Sequence, residues 1–220
     1  MRLSEGASIV VFNGRDGEWR VNHLGLNKKT AQGRAGQKIQ EQTQFFGPDI
    51  YFAPIKKTGT DFIVTKATEL GVRAICPIRT ELTNTERINT ERMKANAREA
   101  AEQCGRIDIP QILAPTVLGN LLQSWTKDQY LVVADETRSG DTPLNAFSSI
   151  KTKKYPPAFL IGPEGGFSES ELVFLDTLPF VINVSLGPRI LRAETAAVAI
   201  LSCWQAFNGD WAQRPTVSPD

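Results

Sequence analysis

One histidine in 220 residues is the first constraint the chain imposes. His23 stands far in sequence from the glycine-rich turns described below, so histidine acid–base chemistry and histidine-rich metal sites are not expected. Cysteine is equally sparse. Cys76, Cys104 and Cys203 are odd in number and include no C-x-x-C pair, which argues against a disulfide framework or a zinc site and fits a reducing cytoplasm. Cys104 and Cys203 sit among apolar residues at helical spacing and are expected in the core. No apolar run approaches the ~18 residues of a membrane span, and no signal-peptide pattern opens the chain. Charge of one sign is also missing: 25 Lys and Arg balance 24 Asp and Glu. A nucleic-acid surface would have to come from local clusters rather than from net charge. Length allows one large or two small domains.

What is present is concentrated between Phe159 and Ala199. Two short apolar runs, Ala158-Phe159-Leu160-Ile161 and Val181-Ile182-Asn183-Val184, each lead into a glycine–proline turn. The first turn is Gly162-Pro163-Glu164-Gly165-Gly166-Phe167 and the second is Leu186-Gly187-Pro188-Arg189-Ile190-Leu191-Arg192-Ala193-Glu194-Thr195-Ala196. Such runs read as buried strands. Ligands of open α/β sheets settle at the carboxyl ends of strands, which makes these turns the expected site.

Elsewhere the pattern alternates. Residues 7–12 and 18–24 read as strands around the hairpin signal Asn13-Gly14. Lys28, Lys29, Arg34 and Lys38 form a basic run that reads either as a solvated hairpin tip or as a phosphate-contacting surface. Residues 49–55, 72–78 and 130–135 are further strands. Helices are expected over 61–70 with Gly71 as its C-cap, over 89–103 and 118–125, over 168–177 with Ser168 and Glu171 as a capping box, and over 194–207. A polar loop is expected over 136–157. Strands alternating with helices predict a parallel sheet covered on both faces.

Neither turn is a G-x-G-x-x-G or a G-x-x-x-x-G-K-[ST] phosphate loop. Consecutive glycines at Gly165 and Gly166 permit positive φ and close approach of a ligand to backbone. Glu164 would repel a polyphosphate but favours a cation. Backbone groups near Leu160, Ile161 and Gly162, with apolar walls from Leu186, Ile190 and Leu191, suit an adenine. A nucleoside carrying a sulfonium, S-adenosylmethionine, combines both features. The plainer alternative is that the glycines only make tight strand-to-helix turns.

Four segments together resemble the RsmE family of 16S ribosomal RNA (uracil-N3) methyltransferases, within the SPOUT superfamily. They are Lys66-Ala67-Thr68-Glu69-Leu70-Gly71-Val72, Glu102-Gln103-Cys104-Gly105-Arg106, and the two glycine turns, in the family's order and approximate spacing. The resemblance covers roughly residues 50–211. It implies an α/β domain with a deep C-terminal trefoil knot over 48–212, a PUA-like β-barrel domain over 1–47, and a loose tail over 213–220. Family members open with a longer segment, so the barrel is expected to lack its first strand. The resemblance also implies S-adenosylmethionine held by Leu160, Ile161, Gly162, Gly165, Gly166, Leu186, Gly187, Pro188, Ile190, Leu191 and Thr195. It implies a cytoplasmic homodimer, without membrane or metal, acting on one uridine of the small ribosomal subunit.

Methylating N3 of uracil removes a weakly acidic N–H and builds charge on O2 and O4. A cation aimed there stabilises it. Arg192 is the expected cation, Glu194 the nearest base or orienter, and Glu164 the third catalytic candidate. Ordinary roles compete: a helix-start carboxylate for Glu194 and an ion pair with Glu164 or Glu194 for Arg192. Lys28, Lys29, Arg34, Lys56, Lys57, Lys66 and Arg106 are the candidate RNA contacts, against the alternative of plain solvated charge. Two other functions stay open: a non-catalytic RNA-binding or ribosome-assembly module on the same fold, and a SPOUT enzyme acting on another RNA.

Overall fold

The computed structural model describes residues 4, 6–27, 30–43, 46–85, 87–126, 128–137, 140–150 and 154–212. Lys28, Lys29 and the tail 213–220 lie outside the described residues. In chain order the elements are β1 (Ile9–Phe12), β2 (Glu18–Leu26), β3 (Ala31–Gln40), β4 (Asp49–Phe52), α1 (Lys57–Glu69), β5 (Ala74–Arg79), α2 (Thr90–Cys104), β6 (Gln111–Ile112), β7 (Thr116–Val117), α3 (Leu118–Gln123), β8 (Leu131–Ala134), α4 (Pro143–Ser149), β9 (Ala158–Ile161), α5 (Glu169–Asp176), β10 (Val181–Val184) and α6 (Ala193–Phe207). They divide into two units, Met1–Phe45 with Ala101–Ile109, and Phe46–Ala100 with Pro110–Asp220.

The first unit carries an antiparallel sheet in the order β1-β2-β3. Its first turn is closed by Asn13, whose Oδ1 accepts from the backbone N–H groups of Arg15 and Asp16. Arg34 and Lys38 of the basic run, read either as a hairpin tip or as a phosphate-contacting surface, lie within β3, a ten-residue strand. Its glycines and polar residues hid it, because most of its residues are exposed and no apolar alternation marks them. Arg34 lies on this strand opposite Asn22. Lys38 sits over the Trp19 ring, 5.7 Å from its centroid.

In the second unit every strand pair is parallel, in the order β10-β8-β9-β4-β5-β6, with β7 also on β5. One register row crosses six strands as Ile182, Val132, Phe159, Ile50, Ile75 and Ile112. The next row, Asn183, Val133, Leu160, Tyr51 and Cys76, points to the other face, as the two-residue period of a strand requires. On the first face Phe159 meets Phe147 of α4 and Trp204 of α6 edge-on, each at 6.0 Å, and those two rings meet each other at 5.6 Å. Opposite it, Leu160, Leu131 and Tyr51 pack with Leu118 and Leu122 of α3 and Leu175 of α5. Each such side chain contributes about 1.5–3 kcal/mol by leaving water.

Several expectations shift. α1 begins at Lys57, four residues early, and includes Gly59. The polar loop over 136–157 contains α4, whose signal was legible: Thr142 caps it by accepting from the Asn145 N–H, and Pro143 occupies the first turn. Cys104, expected in the core, is exposed, whereas burial pushes the Cys76 thiol up to about 12. The capping box of α5 forms as read. Among the described residues no helix is long and apolar enough to cross a membrane.

At the amino ends of the central strands, buried Asp49 accepts from Arg73 Nε at 3.0 Å, Arg73 Nη2 at 2.5 Å and Gln129 Nε2 at 3.1 Å. Gln129 also donates to the Pro156 carbonyl at 2.8 Å. These bonds tie together the starts of β4, β5, β8 and β9. Asp49→Asn should therefore lower stability by about 2 kcal/mol in urea unfolding. A loss under about 0.5 kcal/mol would contradict this role.

Candidate functional site

Since β10, β8 and β9 are parallel neighbours, their carboxyl ends reach one edge of the sheet. A cleft opens there. Ala134, Asp135 and Glu136 line it from the β8 exit, and Ile161, Gly162 and Pro163 from the β9 exit. Leu186, Gly187, Arg189, Ile190 and Leu191 line it after β10, and Ala193 and Ala196 from the first turn of α6. Its walls mix apolar side chains with polar groups, among them buried Asp135 and exposed Glu136.

Two carboxylates hold these exits in place. Glu136 accepts from the Phe167 N–H at 3.0 Å, clamping the β8 exit to the β9 turn. Gly166, with φ of +74°, makes this possible, because a Cβ there would fall on the Glu136 carboxylate. Asp135 turns the other way. Its carboxylate accepts from the Thr137 N–H and the Gly140 N–H, both at 2.8 Å, and closes the loop that returns to β10. There the Ser185 N–H donates to the Asp141 carbonyl at 2.8 Å. Gly187, with φ of +101° and nothing near its missing side chain, lets the β10 exit turn into the cleft without blocking it.

The sequence-predicted residues separate on this frame. Ile161, Gly162, Leu186, Gly187, Ile190 and Leu191 line the cleft. Leu160 does not, since its side chain belongs to the core on the opposite face. Gly165 faces Leu82, and the space over Gly166 belongs to Glu136, so the close approach there is made by the chain's own carboxylate. Pro188 and Thr195 are exposed and outside the lining, as is Glu164. Arg192 is the exposed N-cap of α6 and forms no ion pair with Glu164 or Glu194 among the described residues. Half-buried Glu194 turns toward the first turn of α1: its Oε2 lies 3.9 Å from where a Gly59 Cβ would stand.

The candidate RNA contacts also separate. Lys56 and Lys57 line a larger cavity at the β4 exit. Lys66 lies farther along α1 and pairs with Glu69 at 2.7 Å. Arg106 pairs with Asp108 at 2.5 Å. Sequence reasoning missed Ala134, Asp135, Glu136, Pro163, Arg189, Ala193 and Ala196. The first three were findable, since a strand at 130–135 in a parallel sheet must deliver its carboxyl end to the site edge. No cluster of metal-ligating residues occurs among the described residues.

A family model described as an RNA methyltransferase domain matches residues 47–205, and one described as an RNA methyltransferase PUA domain matches residues 1–35. The ribosomal RNA small subunit methyltransferase E of Synechocystis is 32% identical over 207 residues, which are 92% of this chain and 67% of that protein. The chain belongs to the ribosomal RNA small subunit methyltransferase E family. The Rickettsia conorii member is 28% identical over 204 residues, 92% of this chain and 82% of that protein. A Legionella pneumophila protein described as a methyltransferase, solved with bound SAM, is 28% identical with a TM-score of 0.80. That match covers 93% of this chain and 84% of that one. The PUA match spans β1, β2 and the first half of β3.

The two adjacent glycines of this methyltransferase family member should respond differently to a methyl group. Gly165→Ala meets nothing closer than 3.8 Å and should change stability by less than about 0.5 kcal/mol. Gly166→Ala combines left-handed strain with displacement of Glu136 and should cost about 2 kcal/mol or more in urea unfolding. Equal costs would contradict the clamp.

Proposed function

We propose that this chain transfers a methyl group from S-adenosylmethionine to N3 of one uridine in 16S ribosomal RNA of the small subunit. The observation that carries the reading is the cleft at the joint ends of β8, β9 and β10, in a chain of this family. The cleft's residues suit the cofactor. Ile161, Leu186, Ile190 and Leu191 supply apolar walls, backbone at Gly162 and Gly187 is open to a purine edge, and Glu136 with exposed Glu164 favours a cation. When bound, the cofactor supplies an electrophilic methyl on a sulfonium.

The chain's own residues then handle the base. N3 lies on the pairing edge of uracil, so the nucleotide must be unpaired and turned toward the protein. Glu194 accepts the N3 proton. Arg192, on the same first turn of α6, faces the charge that appears on O2 and O4. The N3 lone pair forms the new N–C bond as the S–C bond breaks, and the thioether product leaves. Glu164 acts only at a distance, as negative charge beside the cleft.

Finer features belong to the same proposal. A C-terminal knot is supported by the chain's path: β10 lies at the sheet edge, yet α6 returns to pack on β9 and α1, and its approach passes the exits of β8 and β9. A homodimer is supported by Ile190, which is 80% exposed beside the cleft and which a second protomer would cover. Residues 1–47 form the RNA-holding domain and 48–212 the methyltransferase domain, in the cytoplasm and without a metal.

Mass spectrometry of small-subunit RNA incubated with the protein and S-adenosylmethionine should detect 3-methyluridine. Arg192→Ala should lower kcat about 100-fold at saturating RNA, with cofactor affinity by calorimetry within about two-fold. Near-normal turnover of that variant would remove Arg192 from the mechanism. Absence of the product with the unaltered protein would overturn the function.

A further inference from the structure

A second cavity, of about 570 Å³, stands at the same end of the sheet over the exit of β4. This is within the usual range for ligand sites. Its floor is apolar, from Ile55, Ile88 and Met93, and its rim carries Lys56, Lys57 and Arg87. The three cations arrive from two separate chain segments. Thr85 joins those segments by donating to the Pro54 carbonyl at 2.8 Å.

Among the described residues no ion pair cancels the charge of this rim. Asp61 is the one carboxylate lining the cavity among the described residues. It is already engaged by Arg92 Nε at 2.7 Å, by Arg92 Nη2, and by Asn96 Nδ2 at 2.7 Å. The Arg92 hydrogen bonds above all, helped by Asn96 and the Lys57 charge and opposed by partial burial, hold the Asp61 carboxyl below the usual range. Lys56, Lys57 and Arg87 form no ion pair among the described residues. An apolar floor under an unbalanced cationic rim suits a ribose-phosphate: sugar and base edge below, phosphates at the rim.

Position links this cavity to the cleft. β4 and β9 are adjacent parallel strands, so their exits stand about 4.8 Å apart in the sheet. Glu194 leans toward Gly59, which lies between the cavity-lining residues Lys57 and Thr60. A strand of RNA resting in the cavity would deliver its next nucleotide to Glu194 and Arg192.

We propose that this cavity binds the sugar–phosphate of the single-stranded RNA flanking the target uridine, with Lys56, Lys57 and Arg87 on its phosphates. Arg92, held by Asp61, is a wall of the cavity and not a contact. The inference rests on the reading that RNA is the substrate.

The test measures anisotropy of a labelled single-stranded oligonucleotide of the target region on the full chain over a range of salt. The triple variant Lys56→Gln, Lys57→Gln, Arg87→Gln should raise Kd about ten-fold and flatten the slope of log affinity against log salt by about 2. Arg98→Gln, an exposed charge on α2 outside the cavity, should stay within about two-fold. Calorimetry should show unchanged S-adenosylmethionine affinity in the triple variant, which also verifies its folding. With saturating RNA its kcat should be retained while KM rises. An unchanged Kd and slope in a variant that still binds the cofactor would overturn the cavity's role and leave methyl transfer standing. An Arg98→Gln effect as large as the triple variant's would overturn it too, as general charge. Loss of methylation by the unaltered protein would instead remove the functional reading itself.

Discussion

Three chain exits must share one end of a parallel sheet, and the Glu136 carboxylate is the group that arranges them. It reaches from the β8 exit to the N–H of Phe167 in the β9 turn. An ionised acceptor on a backbone N–H is among the stronger hydrogen bonds a loop can use. Phe167, so placed, lies against the missing side chain of Gly162 and enters the core beside Leu160. Asp135, one residue earlier, ties the loop that closes onto β10. Adjacent residues on an extended strand end point in opposite directions, so one dipeptide can hold both flanks of the cleft.

Helix α6 then divides the site. Ala193 and Ala196 are three residues apart and share a face, and that face lines the cleft. Glu194 is rotated by roughly 100° from Ala193 and looks toward α1 instead. Small residues toward the cleft and a carboxylate toward α1 follow from a single helical turn. The cationic cavity beyond Glu194 continues the line outward. Cofactor, target base and flanking phosphate would thus lie in sequence over the ends of β8 to β10, α6 and β4.

Much of this was legible in the chain. The strand at Val181–Val184, the capping box at Ser168 and the two glycine–proline turns were readable because apolar runs, caps and turns each carry a local chemical signal. The start of α6 beside Arg192 and Glu194 was readable for the same reason. What stayed hidden depends on neighbours. Asp135 and Glu136 join the site only because β8 lies between β10 and β9, and strand order is not written in any one strand. Gly166 looked like a place for a ligand, yet the space above it is filled from thirty residues earlier in the chain, a fact about tertiary contact alone. Lys56 and Lys57 read as candidate RNA contacts against the alternative of plain solvated charge, but the sequence does not show that they share a cavity. The early start of α1 turns them toward a cavity whose opposite wall, with Arg87, comes from beyond β5.

The central claim is that the cofactor sits at the joint exits of β8, β9 and β10 and nowhere else at this end of the sheet. Hydrogen exchange with and without S-adenosylmethionine, in the absence of RNA, tests it most directly. The account predicts added protection at 134–136, 161–163 and 186–193, with 54–61 and 85–93 unchanged. Protection confined to the β4 exit, or none at the three exits under saturating cofactor, would contradict it.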